Sequence, residues 1–197
     1  AQLSVASVEG LESGDWGAPI TKGRARKNRT MDFTLTQERN GILGHFLGSA
    51  SFTVDVMGWH VHGYDIAMYL SENSSLWSSS KTLSREELMD QMLGDSFFET
   101  IAHSKWVNNK NLAKFVDRLE FFAKKAKISG YQGPLATYKQ VYLDAPKVTR
   151  GSHIVLCPSK EGIRPIVTGK DMGLTKSDFI GRLIMQAYLG EDSDLPE

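Results

Sequence analysis

The sequence predicts an α+β domain, an antiparallel sheet covered on one face by helices. Three observations predict it. Apolar residues alternate across two neighbouring runs between 52 and 70, which reads as a hairpin. After Asn108-Asn109 the spacing changes to three and four, the period of a helix. Alternation returns at 153–167 and gives way to a last amphipathic helix. The order hairpin, helices, hairpin, helix fits an antiparallel sheet better than a βαβ array.

The elements follow in order. Residues 1–31 are rich in Gly, Ser and polar side chains, hold no sustained period and end in the basic run Lys22, Arg24, Arg26, Lys27 and Arg29. They read as an extended arm ahead of a domain at 32–197. On that arm Leu3, Leu11, Trp16 and Ile20 are the anchors that would dock on a partner, with Arg24 and Arg26 as its charged contacts. Phe33-Thr34-Leu35 alternates. Phe52, Val54 and Val56 share a strand face, and Trp59 to Leu70 forms the return strand around Met57-Gly58. Gly44 and Gly48 mark a bend. Ser84-Arg85-Glu86-Glu87 fits a capping box, followed by Leu88, Met89, Met92 and Leu93, with Gly94 as the stop. Ser96-Phe97-Phe98-Glu99 starts a further helix by the same logic. Leu112, Phe115, Val116, Leu119, Phe122, Ala123 and Ala126 form the apolar stripe of the clearest helix. Residues 128–134 read as a loop, and Tyr138, Val141 and Tyr142 as one more short helix. His153 to Cys157 and Ile163 to Val167 are paired strands around Ser159-Lys160-Glu161-Gly162. Thr175-Lys176-Ser177-Asp178 caps a closing helix that turns Phe179, Ile180, Leu183, Ile184 and Ala187 inward.

Composition narrows the function. The chain has 197 residues, 41% hydrophobic and 23% charged, ordinary for a globular domain with a real core. Its formal net charge of zero gives no global attraction to nucleic acid or anionic membrane. No apolar run approaches the roughly 20 residues that span a bilayer. One cysteine, Cys157, excludes an internal disulfide and reads as a small buried hydrophobe. The chain begins at Ala1, which suggests a mature or trimmed form whose targeting segment has gone. No P-loop, nucleophile elbow or dinucleotide fingerprint occurs. His60 and His62, two apart on a strand, share a face and could share a metal, but no Asp, Glu or Cys lies at a helpful spacing, so they read as surface or pocket-lining residues. His45, His103 and His153 are scattered. No metal site and no catalytic residue is expected.

Two stretches resemble the chalcone isomerase family. One is Leu47-Gly48-Ser49-Ala50, a strand, Gly58, and a second strand closing Ile66-Ala67-Met68-Tyr69-Leu70. The other runs from Gly151-Ser152-His153-Ile154-Val155-Leu156 through Ser159-Lys160-Glu161-Gly162 and Gly169-Lys170-Asp171-Met172-Gly173 to Tyr188-Leu189-Gly190-Glu191. The likeness spans roughly 40–195. It implies an open-faced β-sandwich: a large antiparallel sheet, helices packed on one face and an apolar cleft between. It also implies lost catalysis. The isomerase's strand arginine falls at about Thr53, its threonine at Tyr64 and its last-helix Ser or Thr at about Ala187, while Asn111 and Arg118 lie near the middle-helix positions. Ring closure needs a cation or donors on the developing enolate, and these residues do not supply them.

The resemblance also covers fatty-acid-binding branches, in which an arginine and a tyrosine hold the carboxylate. With Thr53 in the arginine's place, His60, His62 or Tyr69 would have to hold it. Otherwise the cleft takes a neutral lipid or pigment, or is filled by Tyr64 and Met68. The expected function is therefore non-catalytic: an accessory subunit of a larger, organellar and photosynthetic assembly, docked through its arm, in a plastid rather than a mitochondrion. The alternative is a fatty-acid or lipid carrier with Thr53, His60, His62, Tyr64, Met68 and Tyr69 around its ligand. An isomerase of unknown substrate is the third reading.

Overall fold

The strand alternation seen at 52–70 is part of two much longer strands. A computed structural model describes residues 33–56, 59–78 and 82–190; the arm, with Leu3, Leu11, Trp16, Ile20, Arg24 and Arg26, lies outside the described residues. The strands are β1 (Thr36–Arg39), β2 (Ile42–Val56), β3 (Trp59–Ser71), β4 (Ser96–Ala102), β5 (His153–Ser159), β6 (Gly162–Val167), β7 (Lys170–Asp171) and β8 (Thr175–Lys176). They form one antiparallel sheet in the order β1 to β7, with β8 on the free edge of β6. The sheet is curled, and the fold is the α+β arrangement that the periodicities predict.

Two irregularities shape the long hairpin. Phe46 pairs with Tyr69 but Gly48 with Met68, so Leu47 is an extra residue in β2, where the glycines forecast a bend. Phe52 pairs with Tyr64 but Thr53 with His62, so Gly63 is an extra residue in β3. Such a bulge reverses the in-and-out alternation beyond it. Gly44 is needed for packing: a Cβ there would come within 2.6 Å of the Phe97 ring.

The helices are α1 (Arg85–Met92), α2 (Asn109–Lys125), α3 (Gln132–Asp144) and α4 (Ile180–Leu189). The Ser84 capping box forms as expected: Ser84 Oγ accepts from the Glu87 amide, and Glu87 accepts from the Ser84 amide at 2.8 Å. Asn108 caps α2, and Ser177 Oγ accepts the amides of Phe179 and Ile180 ahead of α4. Asn109 fixes α2 to the end of α3, donating to the carbonyls of Tyr142, Ala145 and Pro146 and accepting from the Val148 amide.

Two expectations are corrected. Residues 96–99 do not start a helix; they open β4, the strand between β3 and β5. All seven residues of β4 are buried, with Phe98 on the helix side and Phe97 on the other, so no alternation betrays the strand. Ser96 Oγ donates to the Met92 carbonyl instead of capping anything. The 128–134 loop is also shorter than expected. Helix α3 begins at Gln132 and takes Pro134 into its first turn, where the missing N–H has no helical partner to lose.

The core is two-sided. Ala50, Ile66, Met68, Leu70, Phe98, Ile154, Leu156, Ile163 and Val167 pack against all four helices. The other face holds a smaller cluster of strand residues, Ala67, Tyr69, Phe97, Val155 and Cys157, to which Phe33, Ile42, Phe46 and Ile166 add. The helices thus cover one face of the sheet.

Candidate functional site

On the helix-facing side, aromatic side chains gather toward the hairpin. Phe52 and Tyr64, directly paired across β2 and β3, stack at 4.6 Å and are only partly buried against the main core. Further in, Tyr188 of α4 lies 4.8 Å from the Phe98 ring and 5.6 Å from that of Phe115 on α2. Met68 is buried among the core side chains. Beneath α2, Tyr138 and Tyr142 share a 2.6 Å hydroxyl contact, and burial pushes both phenols well above their ordinary pKa. These phenols remain neutral and belong to the buried core, whereas the Phe52–Tyr64 stack is left partly exposed at its edge.

The opposite face is polar in two places. Glu99 of β4 is fully buried; its Oε1 accepts from Arg39 at 3.0 Å and lies 2.8 Å from His153 Nδ1, while its Oε2 has no hydrogen-bond partner. At the hairpin end, Asp65 is 3% exposed, and Ser51 Oγ donates to its Oδ1 at 2.5 Å. His62 Nε2 lies 2.6 Å from the same oxygen, and His103 Nε2 lies 2.8 Å from Oδ2. The two imidazole rings stack at 4.3 Å.

Of the six residues expected to surround a ligand, the four whose side chains are described divide between the two faces of the sheet. Tyr64 and Met68 face the helices. Tyr69 lies on the other face, its hydroxyl donating to the Thr34 carbonyl and accepting from Gln37. Burial, and then the charge of Glu99, push that phenol up to about 12. His62 also turns to that face, toward Asp65. The backbone sets Thr53 opposite His62 and His60 opposite Asp55; their side chains lie outside the described residues.

Sequence reasoning missed Asp65 as a partner of His62. Three apart, they would lie on opposite faces of a regular strand; the bulge at Gly63 puts them on one. The isolated glycine within the strand was the available signal. Ser51 comes from β2 and His103 from just after β4, and neither left a signal. Cys157 is buried as expected, and burial pushes its thiol up to about 12, so it stays protonated and unreactive near neutrality.

A curled antiparallel sheet with four helices, among the described residues, packed on one face defines the chalcone isomerase-like fold. A solved fatty-acid binding protein of Arabidopsis thaliana shares it, with a TM-score of 0.67 over 83% of this chain and 86% of its own, at 17% sequence identity. At that identity the likeness shows the fold. No family model matches the sequence. No curated protein matches it either. Among the described residues no helix is long and apolar enough to cross a membrane.

Proposed function

We propose that the chain is a non-enzymatic binder of an apolar ligand of fatty-acid type, held between the sheet and the helices. The observation that carries this reading is the shared fold with a plant fatty-acid binding protein across most of both chains. The partly buried Phe52–Tyr64 stack, on the helix-facing side of the sheet, supports it with flat apolar surface at the edge of the core. Tyr64 and Met68 would contact the tail. Tyr69 and His62 would not hold the head group, because both turn to the opposite face. The head group would therefore reach solvent near the hairpin or be neutral.

The test is binding of a naturally fluorescent polyene fatty acid to delipidated protein, with native mass spectrometry on the protein as purified. Saturable binding of one molecule per chain, displaced by palmitate and weakened by Tyr64→Ala, is the expected result. Absence of both co-purifying lipid and polyene binding would overturn the reading. The accessory-subunit role, the isomerase role and a plastid location remain expectations from the sequence. The arm on which the first rests lies outside the described residues.

A further inference from the structure

Three side chains that sequence order keeps apart meet on the face of the sheet away from the helices. Asp65 follows His62 on β3, and His103 follows directly after β4. The His103 amide donates to the Gly63 carbonyl at 2.8 Å, which locks the end of β4 to the bulge. The bulge in turn carries His62 onto the Asp65 side. Both imidazoles direct Nε2 at the one carboxylate, and the donor atoms of all three residues lie within 4.8 Å of one another.

Hydrogen bonding alone accounts for this cluster incompletely. Asp65 Oδ1 already accepts from Ser51 and meets His62. His103 Nε2 is buried and close to Oδ2, yet it is not aligned to donate a hydrogen bond to it and has no other hydrogen-bond partner. A single divalent ion would satisfy all three donors at once.

We infer that His62, Asp65 and His103 form a binding site for a divalent transition metal of the zinc class. Two imidazoles and one carboxylate suit zinc or its neighbours rather than magnesium or calcium, which take oxygen-rich shells. Tetrahedral ligands at about 2.0–2.1 Å from zinc stand roughly 3.3 Å apart. The present contacts of 2.6 and 2.8 Å would open by roughly 0.5–0.7 Å to admit the ion. Three protein donors leave a fourth position for water. The His62 and His103 side chains are 13% and 17% exposed, so the ion has a path from solvent. Ser51 would act as an outer partner that orients the carboxylate. The ion would tie β3 to the end of β4. It lies across the sheet from the proposed lipid site, so lipid binding and metal binding stand or fall separately.

The experiment is a calorimetric zinc titration of the chelator-stripped full chain. It is paired with the absorption spectrum of the cobalt form and with melting temperature with and without zinc. One equivalent per chain, a cobalt spectrum of low coordination number and a higher melting temperature are expected. His103→Gln, which removes the more exposed imidazole and should keep the native circular dichroism, is expected to weaken zinc by more than about 100-fold and abolish the melting shift. That exceeds the roughly 10–100-fold that outer partners command, the range expected for Ser51→Ala. His45→Gln, beside Trp77, and His153→Gln, beside Glu99, are expected to bind as the parent chain does. No stoichiometric binding by the folded parent chain, or unchanged binding after His103→Gln, would overturn the assignment.

Discussion

His62 Nε2 and Asp65 Oδ1 lie 2.6 Å apart on the same strand, at a separation of three residues that in regular β-structure places side chains on opposite faces. The extra residue Gly63 in the β2–β3 register is what unites them. Asp65 is consequently a buried carboxylate with contacts to Ser51, His62 and His103. Asp65→Ala removes the shared partner of all three, and a loss of about 2–4 kcal/mol is expected in urea unfolding. A change within experimental error would mean that the cluster contributes nothing to folding.

A second buried carboxylate gives a sharper test. Glu99 has no exposed side-chain surface and depends on Arg39 and His153 for compensation. Arg39→Ala leaves that charge under-compensated, for an expected cost of about 2–3 kcal/mol, reduced from the full buried-pair value because the Arg39 side chain is 32% exposed. Adding Glu99→Gln to Arg39→Ala should recover part of the loss. Additive effects in the double-mutant cycle would show that the pair is not coupled.

Tyr69 makes stability sensitive to alkali. Its phenol, raised from 10.0 to about 12 by burial and then by Glu99, is bound as the neutral form in the native state. Its contribution is therefore complete below pH 10 and is lost as the pH rises from 10 toward 12. Tyr69→Phe should cost about 1 kcal/mol near neutrality through the lost hydrogen bonds. It should also flatten the decline of unfolding free energy between pH 10 and 12. An unchanged alkaline slope would reject this account.

The thiol of Cys157 behaves alike. Burial is the main cause of its rise from 9.0 to about 12, with Asp171 adding to it and Arg164 and Arg39 opposing. A thiol reagent at mildly alkaline pH should leave the native chain unmodified and label it fully in denaturant. Rapid labelling of the native chain would show that the second face opens readily.

Gly181 tests how closely α4 sits on the sheet. A Cβ at this position would lie 2.2 Å from the Ser159 carbonyl oxygen and 2.9 Å from that of Gly162. Alanine ordinarily favours a helix over glycine by roughly 1 kcal/mol. Here Gly181→Ala should instead destabilise by about 2–3 kcal/mol, because backbone atoms of the β5–β6 turn must give way. A stabilised variant would place α4 farther from that turn.

The sequence by itself determined the fold class, the Ser84 capping box and the faces of α2 and α4. It also placed the 153–167 hairpin, because each of these rests on residues a few positions apart along the chain. The helix period of Leu112 to Ala126 and the strand period of His153 to Val167 are local signals of that kind. Only the tertiary structure decided that Ser96–Ala102 is a strand. Burial on both of its faces erases the alternation, and its neighbours β3 and β5 lie before and after it along the chain, each beyond at least one helix. Only the tertiary structure divided His62 from Tyr64 and Met68, whereas strand alternation alone already sets Tyr69 on the other face. Only the tertiary structure brought Ser51, Asp65 and His103 together. Those outcomes depend on a one-residue bulge and on pairings between distant strands, and a single strand read alone carries no record of what lies beside it.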